Sequence, residues 1–531
     1  MKFKTTIKFL VFSIISILNL NLLYAQDFGR LAISNFTFKK GNQAAEIIYS
    51  TKIIALVSMK GGKIICQINE EKIGQYSYVK YDEKAQFIEE GTFRLPEVAE
   101  KAYAKILNVE WINDRFFIYY ESQGKPNTHS YIQYFSEKME PVGNRILLTS
   151  EEIGIGFLTT LFSKDRSKFC IFKTGNTGKV KNKRFSDPYI VFDLASNRIS
   201  KLSHNYTIEK GFKNDLDVAL SNDGNISIFY KISESEEETQ GFRYAVKRIG
   251  NGIDSSEFKV PFDDIWLRDS KIDISADILT ICCSYKARDK KSKLRFIPDF
   301  LTGLAFSKID LRARKEVSNG RILFESILQD KKTFLFKEGA LSYYGHNFNK
   351  VNFNNDGSID LTMDAVRYIT TTSTPRNTGV FEKIYIASGV EEKASLPIYL
   401  NITSDLRLNF FKALNLSSCS NSGFHIKSSS FLVRKGKESM FIMLADTTSK
   451  IEDVDVMTCM TEKKMKLTTF KFKENGSFEK FFEAPYEVRK KVYLDLDFPY
   501  LVNGDNGKVY FYAKNYTGYA MDYILTSYTL P

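Results

Sequence analysis

The sequence predicts an all-β protein, and more specifically a β-propeller of seven or eight four-stranded blades closed by an N-terminal strand. Three observations favour this fold: the composition, a repeated turn-and-strand unit, and one strand near the N-terminus that belongs to no repeat. The 531 residues include 43 Phe and 29 Tyr but only 11 Pro, and aromatic side chains favour half-buried pleated surfaces. Long helical periodicities are scarce along the chain.

A turn signal followed by a short apolar strand recurs along the chain. The first apolar residues of the eight copies are Ile64, Phe116, Phe169, Ile226, Leu279, Ile359, Met440 and Val509. Their spacings are 52, 53, 57, 53, 80, 81 and 69 residues, and the first four are too regular to arise easily by chance. A period of about fifty residues is what four strands and their turns require, so each copy predicts one blade.

The final repeat stops soon after its third strand, close to Leu530. Residues 30–38 (RLAISNFTF) form a predicted strand that belongs to no repeat. Pairing this strand with the last repeat would supply the missing fourth strand, close the ring and remove an exposed sheet edge. The main alternative is a pair of smaller β domains divided within the loop-rich residues 286–350.

The first 25 residues have the three parts of a secretory signal peptide. Three lysines precede an apolar run at residues 9–23, and Ala25 offers a small residue at the cleavage point. The run is shorter than the roughly twenty residues that a membrane span needs. We therefore expect a signal peptide at 1–25, a repeat domain at 26–531 and no transmembrane span after cleavage. The predicted location is periplasmic or extracellular.

Charge and cysteine usage limit the possible partners and cofactors. The formal charge is +12, but the basic residues are dispersed among acids, and the acidic run at 234–238 argues against nucleic acid. Cys66, Cys170 and Cys282 lie within apolar strands and are predicted to be buried free thiols. Cys419 and Cys459 are the pair to consider for a disulfide. Since no cysteine has CxxC spacing, the sequence predicts neither a metal site nor a cofactor.

A binding face is predicted where inserts of variable length separate the second and third strands of the repeats. Equivalent connections fall on one face of a propeller, and loops held by a rigid scaffold often carry function. Two of the inserts, at 174–187 and 286–299, are rich in basic residues. The candidate binding residues on this face are Lys181, Arg184, Lys290 and Lys291.

A second group of candidates lies on the predicted first strands, which would line the centre of the ring. Paired carboxylates can act as acid and base in glycoside chemistry, and Trp can stack on sugar rings. A polar solvated channel explains the same carboxylates, and core packing explains the same Trp residues. The candidate residues are Glu110, Asp217 and Asp273, with Trp111 and Trp266.

The sequence favours a non-catalytic protein over an enzyme, because it contains no H-E-x-x-H, G-x-S-x-G or phosphate-loop motif. We expect an exported binding or scaffold protein of the bacterial cell envelope, whose loop-bearing face engages another envelope protein. The alternative is a glycan-binding or glycan-cleaving propeller enzyme.

Overall fold

The computed structural model describes residues 31–39, 52–72, 74–96, 103–123, 128–149, 158–173, 177, 180–233, 242–250, 253, 257–287, 303–324, 326, 342–372, 387–414, 430–446, 465–485, 487–495, 501–503, 507–517 and 520–530. Strands account for nearly all of the regular structure in these residues. They form eight successive antiparallel units, here called blades 1 to 8. This series of four-stranded meanders is the β-propeller organisation that the sequence predicts.

Blades 1 and 2 follow the N-terminal strand β1 (Leu31–Lys39), and each has four strands in simple up-and-down order. Their strands are β2 (Lys52–Met59), β3 (Ile64–Lys72), β4 (Gln75–Asp82), β5 (Phe87–Arg94), β6 (Tyr103–Ile112), β7 (Arg115–Gln123), β8 (Thr128–Phe135) and β9 (Pro141–Thr149).

Blades 3 and 4 share one strand, β13, and therefore form a continuous seven-stranded sheet. Their strands are β10 (Leu158–Phe162), β11 (Lys168–Lys173), β12 (Val180–Asp193), β13 (Ile199–Leu220), β14 (Ile226–Ser233), β15 (Phe242–Ile249) and β16 (Glu257–Val260). The first part of β13 pairs with β12 as far as Gly211, and the second part pairs with β14 from Phe212 onward.

Blades 5, 6 and 7 repeat the four-stranded order. Their strands are β17 (Ile265–Ser275), β18 (Ile278–Ala287), β19 (Gly303–Asp310), β20 (Lys315–Leu323), β21 (Ser342–Phe353), β22 (Ile359–Thr372), β23 (Ala387–Ile402), β24 (Leu408–Ala413), β25 (Ser430–Lys435), β26 (Glu438–Asp446), β27 (Met465–Phe472) and β28 (Phe478–Pro485). Blade 8 contains β29 (Glu487–Arg489), β30 (Val492–Asp495), β31 (Leu501–Asn503), β32 (Lys508–Thr517) and β33 (Ala520–Thr529).

The predicted repeat is confirmed strand by strand. Each of the eight apolar residues that define it lies in the second strand of its blade, from Ile64 in β3 to Val509 in β32. These strands are the most deeply buried; in β7, for example, Phe116–Tyr120 are all 0% exposed. A strand buried on both faces reads as a continuous apolar run, which is why the second strands gave the clearest signal.

The N-terminal strand completes blade 8, as predicted. Strand β1 pairs antiparallel with β33, and its register runs from Leu31 opposite Tyr528 to Lys39 opposite Asp522, with an irregularity between Ile33 and Thr37. The sheet order is β1-β33-β32-β30-β29. The two ends of the described chain therefore share one sheet, and β33 is not left as an open edge.

Two kinds of turn join the strands within a blade. In blades 4 and 6 the turn between the first and second strands uses glycine at positive φ, +84° at Gly224 and +80° at Gly357. In blades 3 and 5 the positive φ of this turn is at Arg166 and Ala276. The turns after the third strands of blades 1, 3 and 5 use a carboxylate. Asp82, Asp193 and Asp310 each accept two backbone N–H groups of the following turn at 2.7–3.0 Å.

The chain divides into two compact units. Blades 1, 2, 7 and 8 belong to the unit formed by Met1–Glu151, Ser429–Thr448 and Cys459–Pro531. Blades 3 to 6 belong to the unit formed by Glu152–Ser428 and Ser449–Thr458. This division does not fall within residues 286–350, where the two-domain alternative placed it.

Neighbouring blades within each unit share apolar cores. In the first unit, Val57 and Ile118 belong to a core between blades 1 and 2. In the second unit, Val246 and Ile281 belong to a core between blades 4 and 5. Cys66, Cys170 and Cys282 are buried free thiols, as predicted, and so is Cys283. Cys419 and Cys459, the predicted disulfide candidates, lie outside the described residues.

Tyrosine hydroxyls add polar links between adjacent blades. The Tyr76 hydroxyl of blade 1 donates to the Ala104 carbonyl at 2.6 Å and accepts the Ile106 N–H at 3.2 Å. The Tyr244 hydroxyl of blade 4 accepts the Leu267 N–H of blade 5 at 3.0 Å. Each hydroxyl satisfies buried backbone groups of the next blade's first strand, which the sheet itself leaves unpaired.

The pairing of β1 with β33 predicts that the N-terminal strand is essential for a monomeric fold. A chain that begins at Lys40 should melt at a lower temperature and associate, because β33 becomes an exposed edge. A chain that begins at Arg30 keeps the whole of β1 and is the matched control. Light scattering and thermal denaturation measure both; equal melting temperatures and monomeric behaviour for the two chains would contradict the prediction.

Candidate functional site

The predicted basic insert of blade 3 is in large part a strand, not a loop. Residues 180–188 of β12 pair with 203–211 of β13 and extend beyond β11, which pairs with β12 only from Tyr189 to Asp193. We call this two-stranded extension, residues 180–188 and 203–211, the ribbon. Its length explains why a variable insert appears at this point of the repeat.

Lys181 and Arg184 both lie on the ribbon, and both are exposed. Lys181 is opposite Lys210, and Arg184 is opposite Thr207. Because side chains alternate along a strand, residues three apart point to opposite faces. Asn182 has a positive φ of 49° and interrupts this alternation after Lys181. Lys183 and Arg184 are adjacent, so they point to opposite faces of the ribbon.

One side of the ribbon is fixed to blade 4 by a buried charge cluster. The Lys213 side chain is 0% exposed, and its Nζ lies 2.5 Å from Asp215 Oδ1 and 3.1 Å from Asp187 Oδ2. The same ammonium lies 4.4 Å from the ring centroid of Tyr206 and 5.2 Å from that of Tyr230. A buried charge needs such partners to offset the loss of water.

His204 is buried beside this cluster. Its ring lies 4.8 Å from the Tyr206 ring and 5.4 Å from the Tyr230 ring, and neither ring nitrogen has a hydrogen-bond partner within the described part of the chain. Burial, and then the positive charge of Lys213, lower the pKa of His204 to about 3. The imidazole is therefore neutral at physiological pH.

The inner-strand carboxylates Asp217 and Asp273 meet lysines from neighbouring strands. Asp217 Oδ2 accepts the Ile272 N–H at 2.8 Å, and Asp217 Oδ1 lies 3.9 Å from Lys271 Nζ. Asp273 Oδ2 lies 3.5 Å from the Nζ of Lys164, in the first turn of blade 3. The group joins blades 3, 4 and 5, so these carboxylates link blades together.

Burial raises the pKa of both carboxyls, although the nearby lysines oppose the shift. A raised pKa is also found in catalytic acids. Here, however, each carboxyl contacts another blade: Asp217 bonds to the Ile272 N–H, and Asp273 lies beside Lys164. The geometry is that of partly buried carboxyl groups that contact other blades.

The two Trp candidates are packing residues. Trp111 is half-buried and meets Phe116 edge-on at 4.9 Å between ring centroids. Trp266 packs against the core of blades 4 and 5, and its buried Nε1 has no hydrogen-bond partner among the residues that the structure describes. Glu110 lies next to Trp111 on β6 and is half-buried.

Some predicted residues lie outside the part of the chain that the structure describes, and two kinds of feature are not found within that part. Lys290 and Lys291 lie outside the described ranges. Within those ranges, no group of three or more His, Cys, Asp or Glu side chains has the arrangement of a metal site. Helices long and apolar enough to cross a membrane are likewise not found in that part of the chain.

Sequence reasoning missed a pair of adjoining cavities at the turns of blades 3, 4 and 5. One has a volume of about 410 Å³ and the other about 460 Å³, and they share Asp223 and Ile253. Their polar residues lie in hairpin turns and near strand ends that are far apart in the sequence. The signal available in the sequence was the cluster Arg312-Ala313-Arg314 in a blade 5 turn.

The lowered pKa of His204 predicts that the free energy of unfolding decreases as the pH falls below about 6.5. Below about pH 6.5 the unfolded chain binds a proton that the folded chain excludes until about pH 3. One such group lowers the free energy of unfolding by at most about 1.4 kcal/mol per pH unit across this window. Urea unfolding between pH 7 and 4.5 measures the slope.

The replacement His204→Phe should remove this contribution to the slope, because Phe does not titrate and suits the aromatic surroundings. His129→Phe, at a half-buried site beside Tyr131, is the matched control and should keep it. Equal slopes for the wild type and His204→Phe would show that His204 does not titrate as inferred.

Two replacements of Asp217 test whether its role is structural or catalytic. Asp217→Ala leaves the Ile272 N–H without its acceptor and should lower the free energy of unfolding by about 1–3 kcal/mol. Asp217→Asn keeps an acceptor oxygen and should have a much smaller effect. Urea denaturation of both variants is the measurement, and equal stabilities for Ala and Asn would refute the blade-linking role.

No protein-family model matches the chain, and no curated protein matches it in sequence. Among solved structures, the chain is similar to the polysaccharide lyase Uly1, with 10% identity, a TM-score of 0.40, and coverage of 80% of this chain and 89% of that one. The β-propeller domain of the Trilobed protease from Pyrococcus furiosus has 10% identity, a TM-score of 0.32, and coverage of 68% and 97%. TM-scores this low support no inference about the activity of this chain.

Proposed function

We propose that the protein is an exported, non-catalytic binding or scaffold protein of the bacterial cell envelope. The observation that carries this proposal is the ribbon. Within the described residues, positions 180–188 pair with β13 on one side and with no strand on the other. An open strand edge is a template for an additional strand from another protein.

The charge of the ribbon favours an acidic partner. Lys181, Lys183 and Arg184 are exposed, and they occupy both faces of β12. An extended segment that adds to this edge would direct its side chains to both faces in turn. Acidic residues at successive positions of such a segment would each lie near a cation.

The anchoring of the ribbon also supports a binding role. Binding to a pre-formed strand edge costs less conformational entropy than ordering a loop. The buried Lys213 cluster fixes the ribbon against blade 4 through contacts with Asp187 and Tyr206. The ribbon is thus pre-organised to receive a partner strand.

A non-catalytic role is favoured because the candidate acids and bases already have partners in the fold. Asp217 bonds to a backbone N–H, Asp273 lies beside Lys164, and Lys213 is buried between two carboxylates. The second candidate function, a glycan-cleaving enzyme, needs Asp217 and Asp273 to serve as acid and base. Loss of glycan turnover in Asp217→Asn with unchanged stability would favour that alternative.

The experiment compares capture of partners by two variants of equal charge. The mature chain is tagged, crosslinked in native envelopes and purified. N-terminal sequencing of the purified chain should find Gln26 if the signal peptide is removed. Replacing Lys181, Lys183 and Arg184 by Gln should weaken the captured partner's affinity about tenfold, from three exposed pairs. The control replaces Lys84, Lys138 and Lys490, also exposed, by Gln.

Hydrogen exchange on the purified complex then locates the contact. A partner strand on the ribbon should protect the amides of residues 180–188, since those groups gain hydrogen bonds. Absence of any partner, protection confined to other segments, or equal loss of binding in the control would each overturn the proposal.

A further inference from the structure

The two cavities at the turns of blades 3, 4 and 5 share the lining residues Asp223 and Ile253, and we call the pair the turn-face groove. It is independent of the ribbon and uses different residues. The first cavity is lined by Asp223, Val246, Arg248, Ile253, Phe258, Asp277, Ile309, Leu311, Arg312 and Arg314. The second is lined by Lys168, Val191, Asp193, Arg198, Ser200, Asp223, Gly224, Asn225 and Ile253.

The size and lining of the groove match those of small-molecule sites. Volumes of about 410 and 460 Å³ lie within the range of roughly 300–1,000 Å³ for ligand pockets. The first cavity has apolar walls from Val246, Phe258 and Leu311, beside several charged groups. Such a surface can contact the apolar face of a ring while charged groups fix its orientation.

The groove has more cations than anions. Five basic side chains line it, against the three carboxylates Asp193, Asp223 and Asp277. Asp193 lies 2.9 Å from Lys168 Nζ, and the hydrogen bond from this lysine, together with turn N–H groups, lowers the pKa of Asp193 to about 2. Asp193 is therefore ionised at neutral pH, and the five basic side chains still outnumber the three carboxyl groups.

Two of the three arginines of the first cavity, Arg248 and Arg312, differ in how much of the guanidinium is exposed to solvent. Arg248 is 13% exposed, and its Nη1 lies 2.9 Å from Asp277 Oδ1. Arg312 also contacts Asp277, at 2.9 Å through Nη2, but its side chain is 83% exposed. A guanidinium held by one carboxylate and otherwise open to solvent still has N–H groups to donate to a second carboxylate.

Asp223 lies where the two cavities meet. Its Oδ2 accepts the Asn225 Nδ2–H at 2.7 Å and lies 3.7 Å from Arg248 Nη2. The side chain is 63% exposed, so Oδ1 can accept hydrogen bonds from a ligand. An ionised carboxylate accepts but does not donate, so Asp223 selects hydroxyl or amine donors at the centre of the groove.

We propose that the turn-face groove binds a sugar acid, a ligand that carries a carboxylate and hydroxyl groups on one ring. The carboxylate lies against Arg312 and Arg314, the hydroxyls donate to Asp223, and the ring packs on the apolar wall. A second ring of an oligomer extends past Asp223 toward Arg198. The same chemistry exists in a free sugar acid and in a unit of an acidic polysaccharide, and chain length distinguishes these sources.

Calorimetric titration of the mature chain tests the ligand class with four probes. Galacturonic acid should bind with a Kd of about 1 mM, as expected for a shallow charged site, and trigalacturonate should bind at least tenfold more tightly. Galactose lacks the carboxylate and should not bind, and citrate lacks the sugar ring and should bind much more weakly.

Three results would overturn the ligand assignment. Binding of galactose as strong as that of galacturonic acid would remove the carboxylate requirement, and equal binding of citrate would reduce the site to a general anion site. If none of the probes binds at a concentration about tenfold above the expected Kd, the site is excluded. A trimer no tighter than the monomer would exclude the second cavity and limit the ligand to a free sugar acid.

Variants locate the site on the surface. The double replacement Arg312→Gln and Arg314→Gln should weaken galacturonic acid binding at least tenfold. The matched control is Lys84→Gln with Lys138→Gln, which makes the same charge change in the equivalent turns of blades 1 and 2 and should leave binding unaltered. Equal loss in both pairs would indicate a non-specific charge effect and refute the site.

Arg198→Gln provides a second variant if the double replacement does not fold. It should weaken trigalacturonate while leaving the monomer unaffected, since Arg198 lines only the second cavity. Loss of monomer binding in this variant would contradict the proposed orientation. Hydrogen-exchange protection at residues 180–188 is not expected with any of these sugars, so the results for the groove and for the ribbon are separable.

Discussion

The second strand of each blade is buried on both faces, and this constraint determines the rest of the architecture. Val509–Ala513 in β32 are each 0% exposed, as are Phe116–Tyr120 in β7. Consecutive buried residues point to opposite faces of a sheet, so a blade must be covered on both sides. Shared cores between neighbours provide that cover, from blades 7 and 8 to blades 1 and 2 in one unit and from blade 3 to blade 5 in the other. The hydrophobic area removed from water by this stacking is the principal stabilising contribution.

Polar links supplement the cores at places where the sheets leave backbone groups unpaired. The hydroxyl of Tyr76 and the carboxylate of Asp217 both bond to backbone N–H groups of the next blade's first strand. The Lys213 cluster performs a related role at the junction of blades 3 and 4. Asp217 resembled part of a catalytic pair in the sequence, and in the structure it supplies the acceptor for the Ile272 N–H group, which would cost about 1–3 kcal/mol if it were buried unpaired.

Sequence reasoning recovered the fold well and the candidate site only in part. The repeat was visible because second strands such as Phe116–Tyr120 are continuous apolar runs, and the Asp-Gly turns mark their starts. The ribbon was mistaken for a loop because exposed strands with Lys181 and Lys183 have the composition of a loop. The turn-face groove was not predicted, since Asp223, Arg248 and Arg312 come from three separate hairpins. Only the stacking of blades brings such residues together, and a linear pattern does not encode that proximity.

The pairing of β1 with β33 joins positions almost five hundred residues apart, Leu31 and Tyr528. Such a contact has the highest possible loop-closure cost in this chain, so it is expected to form last. The strands of blades 1 to 7 pair with strands nearby in the sequence and can fold locally as the chain emerges, whereas blade 8 needs both β1 and β33. During synthesis, β1 has no partner strand until β33 has been made. A chain truncated at its C-terminus would lack β33 and would leave β1 without its partner strand. Such an unpaired strand favours aggregation of the incomplete chain.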